Sequence, residues 1–275
     1  MDRPPRGPAA AMGVGSGAMI ETRRSWWIAP AVLLCAFALL LWQVVAHGPL
    51  TRLDVHVRDG IQGTATSAGL HWLAQFGRAC ADLGDQAPAL LTLLIATGLA
   101  VWRTWSVRKK AAPDAATAGA DRTLWRSPLW RPVLLTVGAG IVLVTVIPLK
   151  IWVARPGPGE VTLGNASLGF FPSGHTADAL CCYGMACYLL CVFVWTSVAA
   201  RRLLAALTTL VIALTIFGLL WSNYHWLSDI LGSLCWCGAW LLVIWQRSAR
   251  PTRQLTGGAL SRGRSRAADD RSAAG

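Results

Sequence analysis

A histidine and an aspartate four positions apart, His225 and Asp229, are the side chains in this sequence best suited to do chemistry. On a helix, residues with this spacing share one face, with about 5–6 Å between their Cβ atoms. A carboxylate placed there keeps one ring nitrogen protonated and leaves the other free as a nucleophile. The same pair is also compatible with an ordinary hydrogen bond at a helix end. Whether the pair is catalytic must therefore be judged from the other polar residues of the sequence.

A second histidine, His175, follows Pro-Ser-Gly and begins an apolar run. Ser173 is a favoured helix N-cap residue, and Gly174 lets the backbone approach a ligand. Because a helix N-terminus presents free N–H groups, this sequence predicts an anion site with His175 at its mouth, placed to give or take a proton. Asp178, one turn later, either tunes His175 or lines the cavity.

Cations for such an anion are available at Lys150 and Arg155. One interpretation is that both side chains snorkel to lipid headgroups. The other is that they bind phosphate. Three neutral hydrogen-bonding residues directly precede His225: Ser222, Asn223 and Tyr224.

Six apolar runs must position these side chains. They cover 26–46, 87–105, 132–153, 174–196, 203–222 and 226–246. Each has about the 20 residues that a helix needs to cross a bilayer. We therefore predict an all-α, polytopic membrane protein. Its six-transmembrane helix bundle is expected to occupy residues 26–246.

The basic residues predict the orientation of this bundle. With a cytoplasmic N-terminus, 20 of the 25 Lys and Arg residues fall in the N-tail, the 103–131 loop, the Arg201–Arg202 pair and the C-tail. This bias is typical of cytoplasmic segments. We expect a multi-pass protein of the cell inner (plasma) membrane with both termini cytoplasmic.

The remaining segments are polar. Residues 1–25 and 247–275 are rich in Arg, Gly and Ala, and we expect both tails to be disordered. The first apolar run lacks a clear cleavage site, which predicts a retained span. Residues 51–86 are too polar to span and have apolar spacing suited to a helix in the outer interface.

Composition excludes other classes of protein. Only 14% of the residues are charged, against about 25% in soluble domains. The net charge of +12 is explained by orientation signals, so a nucleic-acid partner is not expected. Most of the eight cysteines lie in apolar runs without metal-site spacing, which favours span packing. Cys80, in a more polar stretch, is the one with a plausible redox role.

Three polar islands fall at the outer ends of the predicted spans, at 150–158, 170–175 and 224–229. Ionisable groups next to spans are functional candidates by default. The islands resemble the three signature motifs of the type 2 phosphatidic acid phosphatase superfamily, which read Lys-x6-Arg-Pro, Pro-Ser-Gly-His and Ser-Arg-x5-His-x3-Asp. The second motif and the His-x3-Asp part of the third are intact.

The resemblance implies a membrane phosphatase that hydrolyses a lipid phosphomonoester or diphosphate at the non-cytoplasmic face, without metal or other cofactor. It implies that His225 attacks phosphorus and forms a phosphohistidine, that Asp229 steadies the imidazolium, and that His175 is the general acid and base. The phosphate ligands implied are Lys150, Arg155, Ser173 and Gly174, with Asp178 and Asn223 as auxiliary residues. The partners implied are a prenyl or glycerolipid phosphate and the membrane lipids.

Two motifs depart from the family pattern. Gly157 stands where the first motif has arginine, and Gly218-Leu219 stands where the third has Ser-Arg. Because arginine binds phosphate through paired, charge-assisted hydrogen bonds, we expect weaker phosphate binding or recognition of a different group. Arg155, two positions before Gly157, is expected to take over one of these roles.

Other functions remain open. The chain would transfer phosphate between lipid carriers if a second lipid replaced water, and it would be a non-catalytic lipid-phosphate-binding relative if the missing arginines were essential. The same superfamily includes vanadium haloperoxidases. A haloperoxidase is disfavoured because the soluble haloperoxidases lack this pattern of spans. A transporter is disfavoured because the sequence shows no repeated halves.

Overall fold

The computed structural model describes residues 26–67, 71–111, 129–159 and 168–249, which contain eight helices and no strand. In chain order these are α1 (Ile28–Val45), α2 (Pro49–Ser67), α3 (His71–Asp82), α4 (Gln86–Ala111), α5 (Trp130–Val153), α6 (Gly174–Val194), α7 (Val198–Trp221) and α8 (Leu227–Ser248). Helix α6 contains two π-helical segments, Ala179–Tyr183 and Leu190–Val194. The chain divides into two units, residues 1–244 and 245–275. Almost all of the two tails predicted to be disordered lies outside the described residues.

Six of these helices are long and apolar enough to cross a membrane: α1, α4, α5, α6, α7 and α8. Each coincides with one predicted run, so the all-α, six-span fold class is confirmed. Helix α4 continues beyond the predicted end at residue 105, because its last turn holds Arg108, Lys109 and Lys110. Cations are favourable at a helix C-terminus, so charge does not end the helix there.

The predicted interfacial segment 51–86 forms two helices, α2 and α3. Trp72 and Phe76 of α3 remain exposed, at 67% and 47% of their surface. Helix α3 packs closely against α7 at Gly218, where an added Cβ would lie 2.3 Å from the backbone nitrogen of Ala81. The absence of a side chain at Gly218 therefore allows the two helix backbones to touch.

A second close approach occurs at Gly84, in the turn between α3 and α4. A Cβ at this position would lie 3.0 Å from the carbonyl oxygen of His175 and 2.6 Å from Cγ2 of Thr215. Glycine thus lets the turn lie directly on the first turn of α6. The next residue, Asp85, is thereby brought to His175.

Phe171 fixes the chain that leads into α6. It is fully buried with Phe37 and Val44 of α1, in a cluster that also includes Trp236 of α8. A Cβ at Gly232 would lie 2.7 Å from the Phe171 ring, so glycine makes room for it. Burying a phenylalanine side chain contributes about 1.5–3 kcal/mol, and here it holds the N-terminus of α6 against α8.

Candidate active site

His225 and Asp229 are in contact at the start of α8. His225 lies two residues before the helix, and its Nδ1 is 3.3 Å from Oδ2 of Asp229. The same oxygen accepts a hydrogen bond from the backbone N–H of Trp226 at 3.2 Å. The sequence predicts that the two residues meet because they share one face of a helix. In the structure His225 precedes the helix, and the Asp229 carboxylate reaches it by turning back over the helix N-terminus.

The environment of His225 favours its neutral form. The side chain is buried, and burial lowers the pKa of His225 below its ordinary value. Lys150 and His175 act in the same direction, whereas Asp229 opposes them through its hydrogen bond and its charge. A neutral imidazole held by a carboxylate at Nδ1 leaves Nε2 with a free lone pair, as a nucleophile requires.

His175 lies opposite His225 across a small gap. It is in the first turn of α6, and the two imidazole ring centres are 5.9 Å apart. Its Nε2 is 3.1 Å from Oδ1 of Asp85. Asp85 was not found as a site residue from the sequence; its position directly before an apolar run was the available signal.

Ser173 is the N-cap of α6. Its hydroxyl oxygen accepts a hydrogen bond from the backbone N–H of Thr176 at 3.3 Å, and the whole residue is buried. Its backbone N–H donates to the carbonyl oxygen of Asp229 at 3.0 Å, and its carbonyl accepts from Ser233 at 2.6 Å. These bonds join α6 to α8, whereas the expected contact of Ser173 with phosphate stays a prediction.

Lys150, in the last turn of α5, points at the N-terminus of α6. Its Nζ donates to the carbonyl oxygen of Pro172 at 3.3 Å and lies 3.9 Å from the position of a Cβ on Gly174. The carboxylates of Asp178 and Asp229 both attract this ammonium group. A cation and a helix N-terminus thus lie together where the sequence predicts an anion.

Arg155 lies between two carboxylates. One nitrogen, Nη1, contacts Asp229 Oδ1 at 2.5 Å, and the other, Nη2, contacts Asp54 Oδ2 at 2.7 Å. Nη1 also donates to the hydroxyl of Ser228 at 2.6 Å. The guanidinium therefore engages two carboxylates, and the predicted contact of Arg155 with phosphate stays untested by this geometry.

Asp54 of α2 was not found as a site residue from the sequence, where it is one of several charged residues in a polar segment. It is buried, and it accepts hydrogen bonds from the backbone N–H and the hydroxyl of Ser228 at 2.9 and 2.5 Å. No local pattern connects it to α8, because 174 positions separate Asp54 from Ser228.

A cavity of about 320 Å³ lies between the two histidines. Its lining residues are Gly157, Pro158, Gly159, Phe170, His175, Asn223, Tyr224 and His225. Asn223 has a left-handed backbone (φ 56°), and its Oδ1 is buried without a hydrogen-bond partner among the residues that the structure describes. This oxygen is a hydrogen-bond acceptor available to a donor group of a ligand.

The two positions that lack the family arginines are filled by apolar packing. A Cβ on Gly157 would lie 2.6 Å from the ring of Phe170, whose ring centre is 5.5 Å from that of His225. Leu219 is fully buried in a cluster with Ala81 and Ile230. An added side chain at Gly157 would therefore meet the Phe170 ring, and the Leu219 side chain is enclosed by apolar neighbours.

Two further predictions concern cysteines and metals. Cys80 is buried in α3, and burial raises the pKa of its thiol, which favours the less reactive protonated form. In the part of the chain that the structure describes, no group of three or more His, Cys, Asp or Glu side chains is arranged to hold a metal ion.

Comparison with known proteins shows that the bundle has the fold of a transmembrane phosphatase structure. Residues 129–253 match the model of the PAP2 superfamily. The structure resembles that of the first transmembrane PAP2 type phosphatidylglycerolphosphate phosphatase from Bacillus subtilis, with a TM-score of 0.62 and 17% identity, covering 82% of this chain and 99% of that one. No curated protein matches the sequence. The 129–253 segment is thus similar to the PAP2 superfamily, and the structural likeness shows a shared fold.

Proposed function

We propose that the protein is a lipid-phosphate phosphatase that hydrolyses a phosphomonoester or diphosphate through a phosphohistidine. The observation that carries the proposal is the pair of imidazoles 5.9 Å apart beside one cavity, with Asp229 at 3.3 Å from the first and Asp85 at 3.1 Å from the second. Each imidazole thus has its own carboxylate, as expected of one nucleophile and one acid.

In the first step, Nε2 of His225 forms a bond to phosphorus while the bond to the lipid oxygen breaks. Asp229 stabilises the positive charge that develops on the imidazole. His175 gives a proton to the departing oxygen; because Asp85 contacts its Nε2, Nδ1 is the nitrogen that faces the reaction. In the second step, His175 takes a proton from water, the hydroxyl attacks phosphorus, and the N–P bond breaks.

The phosphate oxygens are proposed to bind to Lys150 and the first-turn amides of α6, where charge develops in the transition state. Asn223 lines the same cavity, and its Nδ2–H group, a neutral hydrogen-bond donor, supplies a contact in place of an arginine. The expected roles of Ser173 and Gly174 then differ: Gly174 keeps the approach open, and Ser173 fixes the helix end.

The site is proposed to face away from the cytoplasm in the inner membrane. The end of α5, the start of α6 and the connection from α7 to α8 all lie at this site, and the basic segments fall at the opposite ends of the spans. A lipid phosphate can reach such a site while its chain stays in the bilayer.

Purified full-length protein in detergent is expected to release phosphate from at least one lipid of a panel, with EDTA present. The panel contains phosphatidic acid, prenyl phosphate, prenyl diphosphate and phosphatidylglycerolphosphate, the last because of the structural relative. Release that requires an added acceptor lipid would indicate phosphate transfer. No release from any member would contradict the proposal and favour a non-catalytic lipid-binding protein.

Replacement of Asp85 by Asn is expected to lower kcat by roughly tenfold with KM nearly unchanged, because a positioned acid contributes about 10²–10⁴-fold and Asn keeps part of the contact. Steady-state kinetics on the best panel lipid measure this. Asp82→Asn is the matched control, since Asp82 is an exposed carboxylate at the end of α3, and less than a twofold change is expected. Equal effects of the two variants would show that only general charge matters.

A further inference from the structure

Asp54 is the one buried carboxylate near the site, among the described residues, that the proposed reaction does not use. Its side chain is 1% exposed, and it belongs to α2, outside the segment that matches the family model. An ionised carboxylate is costly to bury unless it is paired and hydrogen-bonded. Asp54 is both, and the groups that pair with it lead to the nucleophile.

These contacts form a chain to His225. Asp54 binds Arg155 Nη2 at 2.7 Å, and Arg155 Nη1 binds Oδ1 of Asp229 at 2.5 Å. The second oxygen of Asp229 is the one that contacts Nδ1 of His225 at 3.3 Å. Asp54 is therefore two ion pairs away from the imidazole, with every link buried or nearly so.

Ser228 adds a second connection between the same groups. Its backbone N–H and its hydroxyl both donate to Asp54, while the hydroxyl oxygen accepts from Arg155. Ser228 precedes Asp229 in the first turn of α8, so these bonds fix the backbone from which Asp229 projects. Asp54 thereby restrains the position of Asp229 as well as its electrostatic surroundings.

The net charge of this buried group favours a positive charge on the imidazole. Arg155 is shared between two carboxylates, so the buried group of Asp54, Arg155 and Asp229 carries a net charge of about −1 before the imidazole is counted. A positive charge on His225 would neutralise the group. If Asp54 were neutral, Arg155 would be committed to Asp229 alone, and that carboxylate would be a weaker acceptor for the imidazole.

We propose that Asp54 is a positioning residue for the nucleophile, acting through Arg155 and Ser228 on Asp229, and that it stabilises the imidazolium formed when His225 is phosphorylated. The inference rests on the proposed phosphatase function. It assigns Arg155 to the support of the nucleophile instead of to the substrate, and it extends the functional site to α2.

The test compares Asp54→Asn with wild type in full-length protein. Outer partners of a catalytic histidine typically contribute about 10–100-fold, so kcat is expected to fall roughly ten- to a hundredfold with KM within about twofold. Asp59→Asn is the matched control on the same helix, because Asp59 is 59% exposed and pairs only with Arg58 among the described ion pairs. It is expected to leave both constants unchanged.

A second measurement follows His225 directly and does not need turnover. The rate of modification by diethyl pyrocarbonate, which reacts with neutral imidazole, is measured against pH, and His225→Ala identifies the contribution of His225. The groups facing this imidazole are Asp229 of α8, Lys150 of α5 and His175 of α6. Loss of the Asp54 charge is expected to move the midpoint down by about 0.5–1 pH unit.

The outcomes separate the two proposals. A lower kcat with an unchanged midpoint, accompanied by lower thermal stability, would show a structural role only and overturn the inference. A shifted midpoint in a protein that hydrolyses no lipid would support the positioning role while the phosphatase proposal fails. If Asp54→Asn does not fold, Asp54→Ser, which leaves space for water, is expected to give the same shift; an unchanged midpoint there overturns the inference.

Discussion

Replacement of His225 by alanine is expected to reduce phosphate release by at least about 10³-fold, because removal of a nucleophile leaves only the contribution of binding and electrostatics. Burial lowers the pKa of this imidazole, the Asp229 contact orients it, and the neighbouring His175 is held at Nε2 by another carboxylate. His175 is therefore not placed to replace it. The measurement is initial phosphate release from the best lipid of the panel, together with trapping of radiolabelled phosphoenzyme.

The matched control for this experiment is His56→Ala, which removes an exposed histidine of α2. It is expected to keep the wild-type rate. Wild type and the control should form an acid-labile, alkali-stable phosphoenzyme, and His225→Ala should form none. Unchanged turnover or unchanged labelling in His225→Ala would overturn the mechanism, while the similarity of residues 129–253 to the PAP2 superfamily would stand.

The spans and the three polar islands could be predicted from sequence because their signals are local. A run of about 20 apolar residues predicts a span by itself, and each motif lies within a few positions of a span end. The start of α6 at Gly174 follows from the Ser173 cap, and the structure places the helix there. Connectivity of the spans then brings the islands to one end of the bundle.

The partner of Arg155 could not be predicted, because it depends on contacts between distant parts of the chain. Asp54 is 101 positions from Arg155, in a segment whose composition indicates only an interfacial helix. Sequence alone favoured phosphate for a basic residue beside a phosphate motif. In the structure, two buried carboxylates share that guanidinium, one at each terminal nitrogen. A buried carboxylate is costly unless it is paired with a cation.

The missing arginines have a structural explanation of the same kind. At Leu219 the chain contributes to the apolar contact between α3 and α8, and at Gly157 it packs against Phe170. Leu219 and Gly157 each pack against apolar neighbours where the family pattern has an arginine. The site therefore has fewer cations than the family pattern. Under the proposed function, phosphate recognition depends more on Lys150, the α6 N-terminus and neutral donors such as the Asn223 amide N–H group.

Removal of the Arg155 cation is expected to affect stability as well as catalysis. Arg155→Met would leave Asp54 and Asp229 buried and facing one another without their shared counter-ion. Breaking a buried pair by removing one partner costs about 3–5 kcal/mol, which corresponds to a Tm lower by about 10 °C for a chain of this size. Thermal unfolding in detergent measures this, and kcat is expected to fall with it.

Lys150→Met provides the contrast, because Lys150 contacts a backbone carbonyl at the helix N-terminus and forms no ion pair within 4 Å in the described residues. Its loss is expected to raise KM and to lower kcat, reducing kcat/KM by at least roughly tenfold while leaving the Tm nearly unchanged, since a charge-assisted contact to a ligand contributes about 1.5–3 kcal/mol. If Arg155→Met instead raised KM to a similar extent and kept the wild-type Tm, Arg155 would be a phosphate ligand, and the carboxylates would have to be protonated or otherwise satisfied without it.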